Sequence, residues 1–110
     1  MTRSNLHITL SNGKKLICVA DSSSTPEQGY IVEHLIRPLL ELGDPAHEIE
    51  LLEEHCTMHD RRCNACYRYY IDLQNKTVKL FEEIFSYKTE RFKRGADLTK
   101  RYNEYVERLK

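Results

Sequence analysis

No stretch of apolar residues in this chain approaches the roughly 20 needed to cross a bilayer as a helix. The opening residues, Met1-Thr2-Arg3-Ser4-Asn5, form no apolar signal segment either. Both absences lead to the expectation of a cytoplasmic protein with no membrane partner. Also missing are the signatures of common catalytic sites: a Gly-rich phosphate loop, a nucleophile elbow, a paired-carboxylate motif. The reading therefore leans away from an enzyme. An overall charge is lacking too, since 17 Lys and Arg balance 17 Asp and Glu.

That balance hides a split. Residues 1–60 hold four Lys/Arg against ten Asp/Glu, while residues 61–110 hold thirteen against seven. Tyr30 is the one aromatic of the first part; six Tyr and all three Phe follow residue 60. Either the two halves pack together and their charges compensate, or the basic, aromatic half meets an anionic partner. At 110 residues the chain is a single domain, able to bury about two-thirds of the surface its unfolded form exposes.

Leu6-His7-Ile8-Thr9-Leu10 alternates with the period of a half-buried strand. Asn12-Gly13 then supplies a hairpin turn, because both residues tolerate positive φ. A two-residue turn there pairs Ile8 with Ile17 and Leu6 with Val19, and sets His7 across from Cys18 on the other face. Thr25-Pro26-Glu27-Gln28 starts a helix with a capping box. Ile31, Leu35, Ile36, Leu39 and Leu40 form its core stripe. Pro38 predicts a kink or an end just before it, and Gly43 closes the segment. Asp44-Pro45 opens a second helix by the same logic. If it runs on, His55 and His59 lie one turn apart on a common side.

Residues 67–73 and 77–81 predict a second hairpin. A turn at Asn75-Lys76 pairs Leu73 with Val78, Ile71 with Leu80, Tyr70 with Phe81 and Asp72 with Lys79. Residues 84–94 fit a short helix or a loop, Gly95 breaks the chain, and Asp97 caps a last helix with Leu98, Tyr102, Tyr105, Val106 and Leu109 on one face. The expected fold is α+β: two hairpins in one antiparallel sheet, about three helices on one face, order ββααββα.

Chemistry concentrates in one short run. Cys56, His59, Cys63 and Cys66, with His55 as a substitute ligand, are the residue types zinc takes in a tetrahedron. Cytosolic cysteines favour free thiols or metal over disulfides. Only Asp60-Arg61-Arg62 separates the two pairs, where zinc sites usually allow a dozen residues or more. Two readings compete: a structural zinc site tying the helix end to the second hairpin, or ordinary thiols that pack as small apolar groups. Cys63-Asn64-Ala65-Cys66, with Tyr69-Tyr70 after it, resembles the second half of a GATA-type zinc finger. That family's upstream cysteine pair is absent and Tyr67 replaces its glycine, so DNA binding is not carried over. A Cys-x-x-Cys also suggests a redox dithiol, with Arg61 and Arg62 near enough to favour a thiolate.

For partners, Arg68, Tyr69, Lys79, Arg91, Lys93 and Arg94 are the candidate contacts, cations interleaved with rings as on sheets that bind single strands. The leading expectation is a non-enzymatic binding or adaptor domain whose partner is another protein or a second copy of the chain. A zinc-stabilised nucleic-acid binder is the alternative, and a thiol-dependent redox protein the third.

Overall fold

The structure, a computed structural model, describes residues 2–109. Six strands form one mixed sheet: β1 (Ser4–Thr9), β2 (Lys15–Ala20), β3 (Thr57–Met58), β4 (Tyr67–Asp72), β5 (Thr77–Ser86) and β6 (Arg91–Asp97). Their spatial order is β3-β2-β1-β4-β5-β6. The fold is α+β as expected, but the sheet is not wholly antiparallel. β1 runs parallel to β4, and a third hairpin, β5–β6, occupies the stretch left open between helix and loop. Gly95 does not break the chain; it lies within β6, where a Cβ would stand 2.8 Å from Ile84 Cδ1 and 3.0 Å from Glu82 Cβ.

Both predicted hairpins form with different registers. In the first, Gly13 N–H donates to Leu10 O and Leu10 N–H to Lys14 O, each at 2.8 Å. The loop is thus the three residues Ser11 to Gly13, with Gly13 at φ 89°. A type I turn closed by a residue of positive φ makes this connection, and it favours glycine there. The extra residue pairs Ile8 with Leu16, Leu6 with Cys18 and His7 with Ile17. A one-residue slip moves a strand's side chains to the opposite face. Leu16, Cys18 and Ala20 accordingly join the helix-side core, while Val19, on the opposite face, is also fully buried.

The second hairpin slides by two residues, which keeps the faces. Ile71 pairs with Val78, Tyr69 with Leu80, Tyr70 with Lys79 and Asp72 with Thr77. Asp72 holds the longer turn by accepting from Gln74 N at 3.0 Å, Asn75 N at 3.2 Å and Asn75 Nδ2 at 2.8 Å. These bonds, first the one from the Asn75 side chain, keep its carboxyl below the ordinary range.

Helices cover one side of the sheet. After a short 3-10 turn at Pro26–Gln28, the chain runs as a π-helix over Ile31–Ile36 and then as α1 (Arg37–Leu42). Pro38 lies in the first turn of α1, just past the point where the π-helix gives way to it. The wider turn before it, with Arg37 N–H reaching back to Val32 O, replaces the tight register in which a proline ring collides with the preceding turn. α2 (Pro45–His55) starts on Asp44, whose side chain accepts from Ala46 N, and α3 (Thr99–Arg108) ends the described chain. One cluster takes Leu6, Ile8, Leu10, Cys18, Tyr69, Ile71 and Leu80 from the sheet, and Ile31, Val32, Leu35, Ile36, Leu39, Leu52 and Tyr102 from the helices. Buried Glu48 pins α2 to the first turn by accepting from Ser11 N and Oγ, each at 3.1 Å. The sheet's other face carries no helix, and that decides where a ligand can reach it.

Candidate functional site

The cysteine segment does not assemble. α2 stops at His55 because Cys56 turns extended, at φ −135° and ψ 158°. Thr57 and Met58 then join the sheet beside β2, so the helix never carries His55 and His59 on one side. The Cys56 side chain packs against the core beside Cys18. Contact with the Cys56 thiol, then burial, pushes the Cys18 thiol up. His55 Nδ1 lies 2.8 Å from Tyr30 Oη. His59, Cys63 and Cys66 are exposed, and Tyr87 Oη donates to the Cys63 sulfur at 3.9 Å. Among the described residues, no three His, Cys, Asp or Glu side chains stand where they could hold a metal ion. Cys63 and Cys66 precede a strand rather than a helix N-terminus.

The same segment has a different role. Residues 59–66 cross the open face at one end, clamped by Asn5. Arg62 N donates to Asn5 Oδ1 at 2.8 Å, and Asn5 Nδ2 donates to Arg62 O at 3.1 Å. Beneath lies a buried ion pair. Arg68 donates through Nη2 to Glu83 Oε1 at 2.7 Å and through Nε to both Glu83 oxygens at 3.1 Å; Asn5 Nδ2 adds 2.9 Å to Oε2. The Glu83 side chain is 0% exposed and that of Arg68 9%. Burial works against the arginine charge, but the bonds to Glu83 and Tyr70 outweigh it and raise its pKa. Loop and ion pair close this end of the face; the other end stays open.

The open end is a trough of about 610 Å³. Strand alternation places two rows of side chains across it. One row runs Ile17, His7, Tyr70, Lys79 over β2, β1, β4 and β5; the next runs Lys15, Thr9, Asp72, Thr77. Arg94 reaches in from β6, its guanidinium 4.8 Å from the Phe81 ring centre and 5.8 Å from that of Tyr70. The His7 and Tyr70 rings lie 4.9 Å apart with 34° between their planes. His7 Nε2 is buried from water and has no hydrogen-bond partner among the described residues. Burial first, then the charge of Arg68, holds His7 below the usual histidine range, against a smaller upward pull from Glu83. At neutral pH the trough therefore offers an uncharged imidazole between cations.

Of the six predicted contact residues, two line this trough: Lys79 and Arg94. Tyr69 points the other way and is fully buried in the core, with its hydroxyl donating to Ser24 O at 2.7 Å. Arg68 is committed to Glu83. Lys93 pairs across the strands with Ile84 and Arg91 with Ser86, on the face opposite Arg94. His7, Lys15 and Tyr70 were not among the predicted contacts. Two of them come from the acidic half; the alternation of β1 signals the direction of His7, whereas that of Lys15 follows from the turn register. The chain matches no family model, no curated protein and no solved structure.

Proposed function

We propose that this chain is a binding domain and that the open end of the sheet face seats an anionic ligand. One observation supports the reading above others: exposed Lys15, Lys79 and Arg94 surround a trough floored by His7 and Tyr70. Two acids stand near, one of them, Asp72, in the lining, and both carboxylates already accept hydrogen bonds from the protein. Asp72 is held by its own turn, and Asp97, beside Lys79 and Arg94, accepts from Thr99 N at 2.9 Å at the start of α3. Two hairpins and the crossing loop hold the floor rigid, so little order is lost on binding.

The test uses inorganic tripolyphosphate as a probe, followed by amide chemical shifts. Shifts should concentrate at His7, Lys15, Tyr70, Lys79 and Arg94, and should vanish in the Lys79→Glu/Arg94→Glu double variant. Shifts centred outside the open face, or none at millimolar probe, would refute the reading.

A further inference from the structure

Resting on the reading that the open face is the anion seat, we infer that its ligand is single-stranded nucleic acid. The strand crosses the sheet with bases against His7 and Tyr70 and phosphates on Lys15, Lys79 and Arg94.

The layout of the cations comes first. They do not converge on a point, as they would for one compact anion. Lys15 stands on β2, Lys79 on β5 and Arg94 on β6. With neighbouring strands about 4.8 Å apart, the step from β2 to β5 is about 14 Å and that to β6 about 19 Å. Such a line suits a polyanion with charges at intervals, here about four nucleotides, the low end of the site size for a small β domain.

What lies between the cations comes second. Across β1 and β4 the intervening groups in one row are two rings, His7 and Tyr70. Flat rings between cations match bases between phosphates, since every base has a face to stack. The Arg94 guanidinium beside Phe81 and Tyr70 extends that platform. An acidic peptide would use the cations but leave the rings idle. A duplex keeps its base faces stacked inside and cannot offer them.

The third element is His7 Nε2, a buried polar atom without a partner among the described residues. A lone buried acceptor or donor is costly. Because water does not reach that atom, a base edge gains it only if the half-buried imidazole turns as the base seats.

The experiment measures fluorescence polarisation of a labelled ten-nucleotide single strand (both ribo- and deoxyribo-) with the full chain, over a salt series. Single-strand affinity should exceed that for duplex of equal length and for a poly-glutamate peptide of equal charge. It should fall as salt rises. Tyr70→Leu should weaken single-strand binding about tenfold and tripolyphosphate binding far less, and Tyr70→Phe should restore the single-strand affinity. Lys79→Ala should weaken both ligands and lower the salt slope by about one. Amide spectra establish that each variant is folded.

Poly-glutamate binding as well as the oligonucleotide, or Tyr70→Leu weakening tripolyphosphate equally, would overturn the inference and point to an acidic protein segment. Tripolyphosphate bound in the trough with no oligonucleotide binding would overturn the inference while leaving the anion seat standing. Neither ligand binding would remove both.

Discussion

Removing one member of the Arg68–Glu83 pair should cost far more than removing both. Glu83→Leu leaves a guanidinium with a 9% exposed side chain and no carboxylate to receive its Nε and Nη2 donors. Arg68→Met leaves a carboxylate, itself 0% exposed, held only by Asn5. Unpairing a buried charge costs about 3–5 kcal/mol, against a total stability on the order of 5–15 kcal/mol for a domain of this size. The melting temperature of either single variant should fall by about 12–20 °C, at about 4 °C for each kcal/mol. In the Arg68→Met/Glu83→Leu double variant no charge is stranded, and packed apolar side chains of similar volume often match a buried pair. The double variant should therefore be more stable than either single. Urea unfolding of all four proteins measures this directly, provided the slopes agree. If the two single losses sum to the double loss within about 0.5 kcal/mol, the residues are uncoupled, and the reasoning about this network is refuted.

His7 makes stability depend on pH in a stated direction. Its folded pKa is lowered by burial and by Arg68. Between the ordinary value near 6.5 and the lower folded value, the unfolded chain takes a proton that the folded chain refuses, so stability falls as pH drops through that window. In His7→Asn this part of the pH profile should flatten, which urea midpoints at pH 7 and pH 5.5 would show. Gly13→Ala places a side chain at φ 89° and should cost about 1–3 kcal/mol; Gly13→Asn, which tolerates positive φ better, should cost less, by the same assay. Thiol labelling under native conditions should modify exposed Cys63 and Cys66 first and reach Cys18 only on unfolding, because Cys18 is fully buried. Mass spectrometry of timed samples gives the order.

Where the sequence alternates cleanly, the fold is legible in it. Leu6, Ile8 and Leu10 announce their face, and Thr25-Pro26 and Asp44-Pro45 announce helix starts. The run Leu16-Ile17-Cys18-Val19-Ala20 is apolar throughout, so alternation cannot say which side faces the core. Turn geometry decides, through one extra loop residue. β6, with Arg91, Lys93 and Arg94 in seven residues, is an edge strand with little to bury, and polar edge strands resemble loops. Pairing between β1 and β4 leaves no local trace at all, because it depends on residues about 60 positions apart. The candidate site suffers from the same blindness. Its aromatic and basic part was visible as composition, but the seat also needs His7 and Lys15, brought from the other half by that long-range pairing. In the cysteine run ligand residues stand close in sequence, yet Cys56 turns inward to Cys18 while Cys63 and Cys66 stay outside.

The parallel pairing of β1 with β4 also sets the order in which the chain can become a domain. Residues 10–66 must be looped out before Ser4 meets Tyr67. The two hairpins on either side can each close early, since their ends are near in sequence. Joining them carries the entropy of the long loop, and until it happens Leu6 and Ile8 on one side and Tyr69 and Ile71 on the other lack their neighbours. A nine-residue cut at the N-terminus would remove a central strand and leave β2 and β3 with no connection to the rest of the sheet. Folding of this chain is therefore decided at its middle seam, and the slowest step should be the one that also completes the trough.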